Sequence, residues 1–557
     1  MNQRPIIYQV LPRLYGAEGL KNEKNGSIKQ NGCGKLNSFT TEALNAIRQL
    51  GCNYIWYTGI IEHSLKTDYT SLGIELDNPE IVKGNAGSPY AIKDYYDIDP
   101  DLSVNVNERM KEFEALVRRT HKANLKVIID FVPNHVARQY KSDSKPNGYS
   151  DLGTDDNKEV RFDINNNFYY LVGEQFSTYN INGSDNPQTY EENPAKATGN
   201  NCFSSCPSKN DWYETVKLNY GINFDNNQSL CIDNGNVPDT WNKMYQILSF
   251  WADKGIDGFR CDMAEMVPCE FWGWVIPKIK EKHKDIIFIA EVYNPNEYRN
   301  YIYNGHFDYL YDKVGLYDTL KNVINGDSAS NITHCWQSVD DIHDKMVNFL
   351  ENHDEQRIAS DFVAGCPLKG LPALLVSALM RNNPFMLYFG QELGEKGMDE
   401  EGFSGRDGRT SIFDYWTIDK VYRYRKGKLT EEESELRDYY QNVLKLCNNE
   451  DAIQKGTFFD LMYANYDNTD INTNRIYTFI RNYKKDVIIV IANFEDSPAD
   501  ITINIPSQAF EYCNIQPGTY KATDLVSMLT EDISLSTSEP IKTSVPPLSG
   551  KVLKIKM

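Results

Sequence analysis

Gly255-Ile256-Asp257-Gly258-Phe259-Arg260-Cys261-Asp262 is the stretch on which the reading of the fold turns. Glycine and aspartate open it, a short apolar run follows, and an arginine and an aspartate stand two residues apart at its end. Side chains of a strand alternate between faces, so Arg260 and Asp262 point one way and Phe259 and Cys261 the other. A guanidinium beside a carboxylate favours the ionised form and lowers its pKa, which is what a carboxylate nucleophile needs at neutral pH. Taken in isolation, an R-x-D is more often a structural salt bridge at a strand end. The other groups that arrive at the same strand end decide between the two readings.

On either side of this stretch, strand-like and helix-like segments alternate. Ile6 to Val10 and Asn53 to Tyr57 read as strands, separated by Leu44, Ile47 and Leu50 at helical spacing with Gly51 as the stop. Met110, Phe113 and Val117 mark the next helix, and Leu125 to Asp130 the next strand. A helix carrying Trp241, Met244, Tyr245, Leu248 and Ala252 leads into the opening stretch. Four more strands follow: Ile286 to Ala290, Tyr309 to Tyr311, Val347 to Leu350 and Pro384 to Tyr388. Eight strands with crossover helices predict an α/β fold, a (β/α)8 barrel, whose chemistry sits beyond the C-terminal strand ends. Residues 136–219 are rich in Asn, Asp, Gly, Ser and Tyr and lack a long helix, as expected of an inserted, loop-rich domain after the third strand. From residue 437 the chain reads as short strands, with Ile501, Ile503 and Ile505 alternating with polar residues. The expected organisation is therefore 1–135 and 220–436 for the barrel, 136–219 for the insert, and 437–557 for an antiparallel β-sandwich.

Composition narrows the function. Of 557 residues, 41% are hydrophobic and 24% charged, which is globular material, and the formal charge of -20 repels nucleic acid and anionic lipid. The 36 tyrosines suit a neutral polar ligand that stacks on rings. Eleven cysteines show no repeating metal spacing, and the odd count cannot pair off completely. No leader-like or membrane-length apolar segment stands out, the run Leu371 to Met380 being too short. Together these features predict reduced thiols, a cytoplasmic location and no membrane insertion.

Four strand ends carry a resemblance. Asp130-Phe131-Val132-Pro133-Asn134-His135, Gly258-Phe259-Arg260-Cys261-Asp262, Glu291-Val292-Tyr293 and Glu351-Asn352-His353-Asp354 resemble, in order and strand context, the signature segments of the α-amylase superfamily, glycoside hydrolase family 13. The insert and the C-terminal sandwich also stand where that family has its B and C domains. The resemblance implies Asp262 as nucleophile, Glu291 as general acid/base and Asp354 as the third, transition-state-stabilising carboxylate. It implies that Arg260 orients Asp262 and that His135 and His353 bind the sugar. Gly87-Ser88-Pro89-Tyr90 followed by Asp94-Tyr95 is similar to the segment whose tyrosine stacks under that sugar, which makes Tyr90 the stacking candidate. Glu291 has no cationic neighbour in sequence and follows an apolar strand, so a raised pKa is expected there.

The implied substrate is an α-1,4-glucan or maltooligosaccharide, cleaved with retention through a glycosyl-aspartate. Glucanotransferase or isomerase chemistry through the same intermediate is the alternative, and a non-catalytic glycan-binding relative the second. No cofactor is required for the chemistry. A structural Ca2+ is implied at Asn134, where some family members hold one, given further oxygen donors from the insert and the Met266 carbonyl. Asp130 reads as a brace for its own loop, and Trp56, Trp251, Trp272 and Trp274 as packing. Asp312 and Gln391 are strand-end candidates for the cleft, and Arg357 and the loop 405–410 for more distant subsites. Many starch-cleaving members carry Lys-His after the nucleophile, where this chain has Glu265 and Met266, so leaving-group-side specificity does not transfer.

Overall fold

The computed structural model describes residues 4–19, 21–183, 188–231, 236–397, 403 and 405–557. The eight barrel strands are β1 (Ile6–Val10), β2 (Tyr54–Tyr57), β3 (Lys126–Phe131), β4 (Gly258–Cys261), β5 (Ile287–Ala290), β6 (Tyr309–Tyr311), β7 (Met346–Phe349) and β8 (Phe385–Tyr388). Each pairs in parallel with its successor, and β1 pairs with β8 through Ile6 and Phe385, so the sheet closes on itself. Local signals set the crossovers. In the helix Thr41–Leu50, Thr40 caps the N-terminus through the Ala43 amide, Leu44, Ile47 and Leu50 face inward, and Gly51 leaves at a φ of +111°.

The strand alternation separates two cores. Ile7, Tyr54, Trp56, Ile128, Ile289, Tyr311, Val347, Phe349 and Met386 fill the barrel interior. Ile6, Tyr8, Ile55, Val127, Ile129, Phe259, Phe288 and Leu310 face the surrounding helices. One layer above the apolar interior the same inward positions turn polar, at Gln9, Asp130, Arg260 and Glu291. Gly258, below Arg260, is sterically required, since a Cβ there would lie 2.7 Å from Ile287 Cγ1.

The insert leaves and rejoins the barrel through one antiparallel pair, His135–Ala137 with Thr215–Lys217, in which His135 faces Lys217. It has a small core of its own around Leu171, Phe176, Tyr190 and Ala195. In the C-terminal region a six-stranded antiparallel sheet and a two-stranded sheet share one core, with Ile480, Val487 and Ile489 against Ile501, Ile503, Ile541 and Val545. The barrel and the antiparallel domain are the expected fold class. Residue 437 lies inside the helix Glu431–Asn449, whose Leu436, Tyr440, Val443 and Leu444 join the barrel's outer core, and the sheet begins only at Thr457. Charged, helix-forming residues there carry a barrel helix past the expected boundary. Among the described residues no helix is long and apolar enough to cross a membrane.

Candidate active site

Strand register brings the signature segments together. Across β3, β4 and β5, Asp130 pairs with Arg260 and Arg260 with Ile289, so Asp262 and Glu291 each stand just past a strand end. Arg260 is completely buried and sits at the centre. Its Nη1 donates to Asp262 Oδ1 at 2.7 Å and lies 3.5 Å from Asp130 Oδ1. Its Nη2 is 2.7 Å from Glu291 Oε2, an ion-pair contact without hydrogen-bond alignment. Its Nε donates to the Tyr311 hydroxyl at 3.2 Å, and the rings of Trp56, Tyr90 and Tyr311 surround its guanidinium.

One electrostatic expectation changes here, and a contact the sequence does not disclose appears: Arg260, on the adjacent strand, is the cationic neighbour of Glu291. Burial pushes the Asp262 carboxyl well above the usual carboxylate range, with Glu291 and Asp354 adding to the rise and Arg260 pulling against it. Asp262 Oδ2 is buried with no hydrogen-bond partner among the described residues, and Asp262 is one of the residues that line the cleft.

Glu291 is held on both oxygens. The Met263 amide donates to Oε2 at 2.8 Å and the Tyr293 hydroxyl to Oε1 at 2.6 Å. Met263 reaches that position with a φ of +44°, an uncommon left-handed conformation for a side-chain-bearing residue, which costs on the order of 1–3 kcal/mol. Glu265 accepts from the Tyr293 and Asn294 amides at 3.0 Å each, so it braces the loop that carries Glu291.

On the opposite side, His353 Nδ1 lies 2.8 Å from Gln9 Nε2. Its Nε2 lies 2.5 Å from the Tyr90 hydroxyl and 3.0 Å from Asp354 Oδ2. Tyr90 and His353 stack with ring centroids 5.2 Å apart. Although burial opposes it, the adjoining His353, with Arg260 and Arg409 nearby, holds Asp354 down at about 2, and its side chain remains 41% exposed to the cleft. His135 is lowered to about 3 by burial, with Lys217 and Lys83 reinforcing the effect, so its imidazole is neutral.

Tyr90, His135, Asp262, Glu291, Tyr293 and Asp354 line a cleft of about 340 Å³. Its walls include Lys83 from the loop after β2, Trp212 and Glu214 from the insert, and Ile412 and Phe413 from the chain after β8. A larger hollow of about 560 Å³ lies beside Trp336, Phe458, Tyr463 and Tyr512, but it contains a single carboxylate pair, Asp340 and Asp460, and none of the signature segments. Lys83, Trp212, Glu214 and Phe413 carried no signal in the sequence, because each enters through a loop whose path the strand pattern does not fix, whereas Gln9 sits within β1 itself.

Asp130 accepts from Trp56 Nε1 at 3.0 Å and from the Gly59 amide at 3.3 Å, as a brace would. Several strand-end candidates stand outside the cleft wall. Asp312 accepts from the Leu316 amide at 2.9 Å, Gln391 donates to the Tyr440 hydroxyl at 3.2 Å, and Arg357 is buried against Glu351. Polar residues at strand ends serve helix starts and buried pairs as readily as ligands.

Residues 22–457 match the family described as alpha amylase, catalytic domain, and residues 466–556 the alpha amylase C-terminal all-beta domain. Alpha-amylase 3 of Dictyoglomus thermophilum is 26% identical over 383 residues, 64% of this chain and 65% of its own length. Alpha-amylase 2 of the same organism is 22% identical over 517 residues, covering 90% and 71%. The chain thus spans about two thirds of the length of these relatives. Among solved structures, a "noncanonic maltogenic alpha-amylase AmyB" from Thermotoga neapolitana superposes with a TM-score of 0.63 at 19% identity, covering 99% of each chain, a likeness of fold.

Proposed function

Because the chain belongs to the α-amylase family, we propose that it is a retaining α-glycoside hydrolase of α-1,4-glucans or maltooligosaccharides, working through a glycosyl-aspartate on Asp262. The observation that carries this reading is Asp262 on the cleft wall, one oxygen fixed by Arg260 and the other, Oδ2, without a hydrogen-bond partner among the described residues.

Oδ2 attacks the anomeric carbon as its bond to the glycosidic oxygen breaks, and Glu291 supplies the proton to the departing oxygen. Water, deprotonated by Glu291, then displaces Asp262, and the configuration is restored. A single guanidinium facing both carboxylates is compatible with the ~5 Å carboxyl separation that retention uses. Arg260 brings one positive charge to the two carboxylates, and the reaction requires that Asp262 be ionised and Glu291 protonated. Asp354, kept ionised beside His353, is suited to hold sugar hydroxyls and to face the positive charge that develops at the transition state. Tyr90, stacked on His353, offers an aromatic edge to the sugar, and neutral His135 offers a hydrogen bond. All eleven cysteines stand unpaired, which supports a reducing, cytoplasmic setting.

The test is product analysis on maltooligosaccharides, combined with a glucosyl fluoride and the Glu291→Gln variant. Shorter reducing sugars with α configuration are expected from the wild type. Glu291→Gln should fail on glucans yet turn over the fluoride to a trapped adduct on the peptide containing Asp262, because fluoride leaves without an acid. An adduct on another residue overturns the nucleophile assignment. Products longer than the substrate would replace hydrolysis by transfer.

A further inference from the structure

The junction between the insert and the barrel contains a buried lysine amine that belongs to the chain itself. Lys217, on the returning strand of the insert, directs its amine onto Asn134 Oδ1, just after β3. It also donates to the Met266 carbonyl, four residues beyond Asp262, at 3.2 Å. No carboxylate pairs with Lys217 among the described residues, and Asn134 donates its own amide to the Gly199 carbonyl at 2.9 Å. Three separate segments thus converge on one amine held by two neutral oxygens.

Asn134 Oδ1 and the Met266 carbonyl are the two oxygens that the family resemblance offers to calcium. A calcium ion needs six to eight oxygen ligands and tolerates no ammonium in its coordination shell. The donor set present here does not fit that ion, since both oxygens are already turned onto Lys217. Among the described residues, the one cluster of acidic groups close enough to chelate a metal is Glu62, Asp94 and Asp143, and Arg109 lies 3.5 Å from Glu62 and 3.9 Å from Asp143.

We propose that the Lys217 amine takes the place of calcium between Asn134 and Met266, so that the insert is fastened to the barrel without a metal. The fastening matters to the cleft because Lys217 pairs in register with His135 and its second acceptor lies on the loop that begins at Asp262.

Thermal unfolding of the whole chain tests this. With calcium chloride or with EDTA the wild-type Tm is expected to agree within about 0.5 °C, whereas an ion bound at about 100 times its Kd would raise it by about 2 °C. A calcium-dependent rise that Asn134→Ala abolishes overturns the proposal. Lys217→Met, which keeps the length and removes the amine, should lower Tm by about 2–5 °C by orphaning both oxygens, and an unchanged Tm would equally overturn it. The wild-type comparison stands even if that variant does not fold.

Discussion

Two buried arginines, Arg260 and Arg357, stand at the C-terminal end of the same barrel, each against carboxylates, and they have opposite consequences. Around Arg357 every carboxylate oxygen is used. Glu351 takes Nη1 on Oε2 at 2.8 Å and the Ile358 amide on Oε1 at 2.8 Å, while Thr410 and the Phe389 carbonyl accept from the same guanidinium. Around Arg260, three carboxylates compete for one cation and one of their oxygens, Asp262 Oδ2, is left without a hydrogen-bond partner among the described residues. The Glu351 carboxylate, both oxygens engaged, ties two loops together even though Arg357 Nη2 lacks a hydrogen-bond partner among the described residues. The over-subscribed assembly instead holds a carboxylate with an oxygen to spare.

The largest contrast should come from activity. Asp262→Asn is expected to lower glucan turnover on the order of 10⁴-fold or more, measured by initial rates. Its Tm near pH 7 should be unchanged or higher. A carboxyl with a raised folded-state pKa stabilises the fold only while protonated, so the ionised form costs stability and Asn removes that cost. The advantage should vanish as pH falls below the ordinary 3.8. A marked loss of stability at pH 7 would mean that the two assemblies are alike.

Glu351→Ala is the mirror experiment. Leaving Arg357 buried and unpaired should cost about 3–5 kcal/mol in denaturant unfolding, with the rate per folded molecule within about threefold of wild type. Acid titration sharpens the contrast further. Because Asp354 is depressed to about 2, its contribution is present above 3.8 and is lost as pH falls through about 2, so Asp354→Asn should flatten the stability profile in that window. The smallest effect expected is for Trp212→Ala on the cleft wall, a KM raised about tenfold with kcat and Tm little altered.

The strands and their polar ends were legible because hydrophobic alternation and strand-end position are local properties. Asp262, Glu291, Asp354, Arg260, His135, His353 and Tyr90 do converge in one place, as their segments implied. What was not legible depends on the third dimension. Arg260 meets Glu291 across strands, burial reverses the expected shift of Asp262, and Arg357 looks the same in sequence whether it lines a subsite or seals a loop. Lys217 alternates with Val216 and Leu218 at the end of a short strand, and that pattern puts a lysine on the face opposite the apolar residues without showing that both faces are buried. The end of the barrel at 437 was misplaced because a helix of acidic and aromatic residues resembles the linker it precedes.

The closure of β1 on β8 also sets a clock. Ile6 waits for Phe385, and Gln9 waits for His353, before either has its partner. At about 5–20 residues per second, synthesis of the intervening chain takes roughly 20–80 s. During that time one edge of the nascent sheet stays open on the ribosome. The pocket is therefore finished late, and a stall in translation before β8 would release a chain that carries Asp262 and Glu291 but has no closed barrel to hold them.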